Sequence, residues 1–442
     1  MTQPGGVRHA YDDAPLRPFH VRVAIASFGG VFSDGFGLGV IGIALNRATP
    51  ELQLDAWWLG LLGGASLAGL FFGALGTGPV ADRYGRRPVF AGNMLLLAAL
   101  SALQFAVVSA PQLFALRFLI GLLLGTDYVV SKALLTEFTP TSFRGRIMST
   151  LSVAWAGGYA CAYFTGYALA DLGPDTWRWM LATSALPCLA ILPLRLMLPV
   201  SPVWLAAHGR HDEAAAIVAR QFGSSVAPPH VDSAAVATHG KFAQLASPAW
   251  RNRTLVASIF FTCQVIPYFA LGTFVNRVLD ALQVKDSFVG GAAYNLALLA
   301  GTVLGLWIVD RLPRRTFLVG SFTITALALL PVVLLARLDA SLVVVLFAVF
   351  ALVLSSVSSL CYVYLPELFP THLRASGIGV AIAASRVGSA ISTFLLPVVV
   401  EHYGVRTALG ACVVVLAGGA LFLQARAPET RGCSIATVPA TP

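Results

Sequence analysis

The sequence predicts an all-α membrane protein, with twelve transmembrane helices arranged as two parallel six-helix halves. Three observations carry that prediction: a composition too apolar for a water-facing surface, twelve apolar runs of spanning length, and loop signatures that recur in each half. Of 442 residues, 57% are hydrophobic and 11% charged, against about 25% charged in an ordinary soluble domain. Charge this sparse cannot solvate a globular surface, so lipid is the solvent for most of the chain. The net charge of +9 does not mark a nucleic-acid binder, because the basic residues sit in short loops between apolar runs instead of along one face. Residues 1–20 are polar and the first apolar run is long enough to span, so no cleavable leader is expected.

A membrane-spanning helix needs about 20 mostly apolar residues. Such runs lie at 22–46, 56–80, 88–109, 112–138, 144–171, 177–199, 252–279, 288–310, 314–336, 341–367, 374–401 and 404–426. Each is expected to be helical, since a segment in lipid must satisfy its own backbone hydrogen bonds. The long polar connection 201–251 separates an N-terminal half, 1–200, from a C-terminal half and tail, 252–442. Within the connection, Asp212 to Phe222 has the pattern of a short surface helix, and Pro228-Pro229 marks a linker.

Arginine sets the orientation. Arg17 and Arg22 precede the first span, Arg83, Arg86 and Arg87 follow the second, and Arg144 follows the fourth. Arg210, Arg220, Arg251 and Arg253 lie in the long connection; Arg311, Arg314, Arg315 and Arg374 lie in later loops of the same side. The opposite loops are poorer. The positive-inside rule then places both termini in the cytoplasm, and a bacterial inner (plasma) membrane is the expected location.

The halves repeat one another. Asp82-Arg83-Tyr84-Gly85-Arg86-Arg87 after the second span returns as Asp310-Arg311-Leu312-Pro313-Arg314-Arg315 after the eighth. Glu137 and Arg144 after the fourth span return as Glu367 and Arg374 after the tenth, at nearly the same offset. Parallel repeats of this kind place a substrate site between the halves near the bilayer midplane. Gly78 to Arg87, GPVADRYGRR, resembles the signature loop of the major facilitator superfamily. The two Glu-x6-Arg elements, Trp177-Arg178-Trp179, and Pro428-Glu429-Thr430-Arg431-Gly432 resemble its sugar-porter and metabolite:proton symporter branch. The chain departs from that branch at Val200 and Val203, where Glu and Arg are usual, and at Pro313, where the loop glycine is usual. The resemblance implies the major facilitator fold, alternating access, and a cytoplasmic gate. That gate comprises Asp82, Arg83, Arg86, Arg87, Glu137, Arg144, Asp310, Arg311, Arg314, Arg315, Glu367 and Arg374, with cross-half pairs closing it when the site opens outward.

Ionisable residues inside a span are costly and are functional candidates by default. Asp34, Arg117, Asp127, Lys132 and Arg386 qualify. Asp34 lies roughly 18 Å from the start of its span and Asp127 about 15 Å from Glu137 at ~1.5 Å per residue, so the two carboxylates share a depth. Asp34, Asp127, Arg117 and Lys132 are the candidates for proton coupling; the competing reading is a static buried ion pair, Asp127 with Lys132. Gly125-Thr126-Asp127-Tyr128 with Ser131 and Glu137 is similar to span four of phosphate:proton symporters, where the Asp couples protons and the Tyr touches substrate. In sugar porters, the acid that pairs with the span-four arginine falls near Gly37. Tyr128, Tyr159, Tyr163, Gln264, Tyr268, Asn295 and Arg386 are the candidate substrate contacts, Tyr159 and Tyr163 belonging to an aromatic stripe with Trp155 and Tyr167. Trp57 and Trp58 suit the outer interface.

The sequence holds no metal-ligand cluster, no nucleophile–base constellation and no Walker motif, so neither an enzyme nor an ATP-driven pump is expected, and no cofactor beyond a proton gradient. The expected function is proton-coupled symport of a small polar or anionic organic solute by a monomer. Proton-antiport export of a drug or metabolite is the alternative, and a non-transporting receptor on the same fold is a third reading. Reporter fusions test the orientation: Ser109 should report outside and Gly240 inside, and the reverse pattern would overturn the span count or the direction.

Overall fold

The computed structural model describes residues 10–173, 175–229, 242–335 and 338–431. Twelve long helices run in chain order: α1 Pro18–Leu52, α2 Ala56–Tyr84, α3 Arg86–Leu103, α4 Ala110–Phe138, α5 Thr141–Ala168, α6 Thr176–Leu196, α7 Arg251–Thr273, α8 Ser287–Ile308, α9 Arg314–Leu334, α10 Ala340–Glu367, α11 Thr371–Tyr403 and α12 Val405–Arg426. Their bounds follow the apolar runs closely. Eleven are apolar enough to cross a membrane by composition alone; α5 falls short because Trp155, Tyr159, Tyr163, Tyr167 and several Gly, Ser and Thr dilute it. Among the described residues between the halves lie three short helices, Pro202–Ala207, His211–Gln221 and Phe242–Leu245. The second is the surface helix expected at Asp212 to Phe222.

Local chemistry starts and stops these helices in a repeated way. Asp55 caps α2 by accepting from the Trp58 amide at 2.8 Å, and Asp286 caps α8 by accepting from Val289 at 3.0 Å. Both satisfy amides that a helix start leaves without partners. The turn from α2 to α3 uses Gly85 at φ +88°, a conformation that L side chains rarely adopt. The matching turn before α9 uses Pro313 at φ −56°, so the loop glycine of the first half is not needed in the second. Two helices are broken. α6 is interrupted at Thr183–Ser184, and α10 tightens into a 3-10 turn at Val357–Ser359, beside the central cavity.

Lipid supplies no hydrophobic drive for helix association, so small residues and close backbones do that work. A Cβ on Gly69 or Gly73 of α2 would overlap the carbonyl oxygens of Phe118 or Leu122 on α4, and one on Gly121 or Gly125 of α4 would overlap Ser66 or Leu70 on α2. The same lock recurs in the second half, where Gly301 and Gly305 of α8 lie against the Leu352 and Ser356 carbonyls of α10. Serine hydroxyls stitch these seams: Ser66 donates to the Arg117 carbonyl at 2.8 Å and Ser355 to the Leu298 carbonyl at 2.6 Å.

The halves meet along α2–α11 and α5–α8 and close at the end opposite the arginine-rich loops. There Gly42 of α1 faces the Thr273 carbonyl of α7, and Gly60 of α2 faces the Phe394 carbonyl of α11. Tyr163 of α5 donates to Asn276 Oδ1 at 2.7 Å and to the Phe288 carbonyl at 3.1 Å, and Tyr167 stacks on Phe288. Trp57 packs edge-on against Phe394 at 4.8 Å, so it serves this seam while remaining exposed. Gly42→Leu should prop this end apart: the protein should insert normally, yet transport should fall at least tenfold, with greater labelling of an outward-facing cysteine probe. Unchanged flux and labelling would remove Gly42 from the closure.

Candidate functional site

Helices α1, α2, α4 and α5 of the first half and α7, α8, α10 and α11 of the second surround a central cavity of about 90 Å³. Asp34, Tyr128 and Trp155 face it from one side; Gln264, Tyr268, Tyr362 and Arg386 face it from the other. Phe261 and Phe269 complete an aromatic wall.

Asp34 stands in the middle of α1, 4% exposed, and neither carboxylate oxygen has a hydrogen-bond partner. Asp127 is in a different state. Fully buried, it takes two contacts from the Arg195 guanidinium, Nη1 to Oδ1 and Nη2 to Oδ2 (the second at 3.0 Å), and accepts from the Ser131 hydroxyl at 2.9 Å. Arg195 also donates to the Phe90 carbonyl at 3.0 Å and lies 3.7 Å over the Phe90 ring. Gly30 makes room for this pair, because a Cβ there would strike the Arg195 guanidinium. Gly30 is one turn from Asp34 on the same helix, so the free carboxylate stands one turn from the neutralised one.

The static pair weighed from the sequence is therefore Asp127 with Arg195, not with Lys132. Arg195 went unread because it lies near the arginine-rich end of α6, where an arginine ordinarily reaches back to water. Its sign was the leucine on either side, Leu194 and Leu196. Lys132 projects instead over the Tyr128 ring, its Nζ 3.3 Å from the centroid, and 4.8 Å from the Tyr362 centroid across the interface. Arg386, 6% exposed, reaches the same Tyr128 ring at 5.5 Å and the rings of Phe261 and Phe269 at 5.8 and 5.7 Å. Among the described residues neither cation has an ion pair with a carboxylate.

Arg117 is 1% exposed and donates from Nη1 to the Gly37 carbonyl at 2.9 Å, while Nε and Nη2 have no partner. It makes no pair with Asp34. A Cβ at Gly37 would meet nothing within 4 Å, so the space for the sugar-porter acid is present and the acid is not. Gln264 Nε2 donates to Ser358 Oγ at 2.8 Å. Tyr159 and Tyr163 line a smaller void at the closed end with Gly42 and Asn276, not the central cavity. Asn295 is buried in α8, where its amide bonds the Gly291 carbonyl at 2.8 Å; it too lies off the main cavity.

At the arginine-rich face, each described ion pair joins residues of one half. Arg86 contacts Glu137, which also accepts from Ser201 at 2.6 Å. Arg144 meets Asp12 at 3.1 Å, and Arg87 donates to the Leu196 carbonyl at 3.0 Å. In the second half, Arg314 meets Glu367 at 3.5 Å, and Thr430 donates to Glu367. Glu429 of the tail accepts from the backbone amides of Arg314 and Arg315 at 2.9 and 3.0 Å, capping α9. Burial pushes its carboxyl up, but these amides and those of Thr430 and Arg431 prevail and hold its pKa below the usual value. Arg431 grips the Asp310 and Arg311 carbonyls, and Arg311 lies over Trp307 at 3.3 Å. Arg83 packs over Tyr84, Arg315 bonds the Gln424 carbonyl, and Arg374 Nε and Nη2 are buried without partners. The Asp82 side chain lies outside the described residues. The Val200/Val203 departure leaves this segment to Ser201, which supplies the hydroxyl on Glu137.

A twelve-helix chain with a cavity between two like halves is a membrane transporter of the major facilitator class. The family of sugar (and other) transporters matches residues 23–440, and the chain belongs to it: it is an integral membrane transporter and not an enzyme. The inner membrane metabolite transport protein YgcS of Escherichia coli (strain K12) is 40% identical over 423 residues, covering 95% of this chain and 94% of that one. The niacin transporter NiaP of Acinetobacter baylyi is 25% identical over 441 residues, covering 97% and 98%. Among solved structures, the xylose transporter XylE from E. coli in a partially occluded inward open conformation superposes with a TM-score of 0.79 at 19% identity, covering 95% of this chain and 100% of that one. That likeness is one of fold.

Removing one partner of a buried pair leaves an uncompensated charge and costs about 3–5 kcal/mol. Asp127→Ala should therefore lower thermal stability sharply, Asp127→Leu with Arg195→Met should recover most of it, and Lys132→Ala should not rescue Asp127→Ala. Rescue by the Lys132 change, measured as melting temperature in detergent, would reassign the pair.

Proposed function

We propose that this chain is a proton-coupled symporter of a small anionic or polar organic solute, working by alternating access, and that Asp34 is the group that loads and releases the proton. The observation that carries this reading is the contrast between the two mid-membrane carboxylates. Asp127 is neutralised by a bidentate guanidinium and a hydroxyl, so exchanging its proton would expose a buried cation. Asp34 lines the cavity with both oxygens unpartnered. The charges acting on it are Asp127 and Arg195, which offset each other, and Lys132; Tyr128 and Arg386 share its cavity. A carboxylate there can be neutral or charged according to the side that water reaches it from, which is what coupling requires. The closed end opposite the arginine-rich loops and the intra-half pairs at the arginine-rich face support a state that opens toward the cytoplasm. That YgcS carries metabolites and NiaP carries niacin agrees with a small organic solute.

Asp34→Asn keeps size and removes titration. In proteoliposomes with an imposed pH gradient, uptake of niacin by the wild-type chain should exceed the ungradiented rate. The variant should lose gradient-driven accumulation while exchange between equal pools survives, because exchange needs no net proton release. Accumulation by Asp34→Asn at the normal rate would end the assignment.

A further inference from the structure

The segment ahead of α1 folds back onto the arginine-rich face. Residues 10–17 form a strap with a 3-10 turn at Tyr11–Asp13. Tyr11 is buried there. Its ring stands 5.0 Å from that of Phe222, at the end of the linker helix His211–Gln221, and its hydroxyl donates to the Glu137 carbonyl at 3.0 Å. The Asp12 carboxylate accepts from Arg144 Nη2 at 3.1 Å, and the Asp12 carbonyl accepts from the Thr141 hydroxyl at 2.8 Å. Arg17 crosses the turn at Gly223, where a Cβ would strike its guanidinium. The strap thus engages both signature residues of the first half, Glu137 at the end of α4 and Arg144 in the first turn of α5.

The attachment is uneven. Tyr11 is an anchor, with a buried ring and a hydrogen bond. The charge contact is exposed, the Asp12 side chain 65% and Arg144 30%, and a pair this open to water holds only weakly. The fold does not require such a pair. Arg374, the repeat counterpart of Arg144, has Nε and Nη2 buried without partners, and the second half packs all the same. A firm anchor beside a weak charge contact makes a clip that opens easily and re-closes in place. Arg144 can be held by Asp12 inside its own half or, when the cytoplasmic ends approach, by an acid of the other half, where Glu367 and Glu429 stand at the same face. Resting on the alternating-access reading above, we infer that the strap sets the balance between the two orientations. Asp12 keeps Arg144 within the first half while the cytoplasmic side is open, and yields it to the second half as that side closes. Without Asp12 the balance moves toward the state open at the opposite end.

The test uses the full chain in right-side-out membrane vesicles, with its native cysteines replaced by serine and Asn46→Cys added in the small void at the closed end. A membrane-impermeant maleimide applied from outside reads how often that end opens. Asp12→Asn should raise the labelling rate at least threefold, and Asp12→Glu should return it at least half-way. In an Arg144→Gln background Asp12→Asn should change nothing further, because no arginine is left to release; a strap that merely braces the fold would act equally in both backgrounds. Unchanged labelling by Asp12→Asn, with or without a fall in melting temperature, overturns the inference, and so does an equal rise in the Arg144→Gln background. Gly42→Leu in the same vesicles separates this inference from its premise. If Gly42→Leu raises labelling and Asp12→Asn does not, the clip fails and alternating access stands; if neither raises it, alternating access falls and the clip with it.

Discussion

Helices in lipid are not pushed together by water, so the closeness of their backbones decides how firmly they pack. In this protein that closeness depends on glycines placed where two helices cross: Gly69, Gly73, Gly121 and Gly125 between α2 and α4, and Gly301 and Gly305 between α8 and α10. These seams make each half a stiff body. Gly30 extends the same logic to charge, because its missing side chain is the space in which Arg195 reaches Asp127. Stiff halves with a looser boundary between them are the physical precondition for rocking. The boundary is sealed at one end by Gly42, Gly60 and the Tyr163 hydrogen bonds, and is lined in the middle by side chains that bond little with one another.

Charge is partitioned along the same division. Within the first half, the Asp127–Arg195 pair is bidentate and is tied further by Ser131 and the Phe90 carbonyl, with the Arg195 Nε left without a partner. Such a pair fixes α4 against α6 and takes no part in the cavity. The incomplete groups, Asp34, Lys132 and Arg386, all stand where the halves face each other. A site that must change partners during a cycle needs groups that are not already satisfied within one rigid body. At the arginine-rich face the pairs are again local to each half, so the halves part there without breaking any described ion pair.

Much of this was legible in the sequence, for reasons that can be named. Twelve spans follow from the length of the apolar runs, and even α5, too aromatic to pass on composition alone, is helical where it was expected. The surface helix near Asp212 and the recurrence of the loop signatures were visible because they are local patterns. The site was legible in part: Asp34, Tyr128, Gln264, Tyr268 and Arg386 do converge on one cavity. Partnership was not legible. Arg195 looked like an interfacial arginine, and only the fold of α6 against α1 and α4 brings it to Asp127. Tyr159, Tyr163 and Asn295 are polar groups in apolar runs like the others, but their rotation and depth turn them to the closed end or into α8. Phe261, Phe269 and Tyr362 carry no mark in a chain where aromatic residues are frequent.

Arg117 shows how the chain differs from its sugar-porter kin in a way that reaches beyond this one molecule. Its guanidinium rests on the Gly37 carbonyl beside an opening that no side chain fills. Every glycine codon is a single base from a codon for aspartate or glutamate. A carboxylate can therefore appear at this spot in one mutational step, with a cation already waiting and no neighbour in its way. The position is an evolutionary hinge: a second mid-membrane carboxylate can enter α1 one turn from Asp34 without rebuilding the cavity.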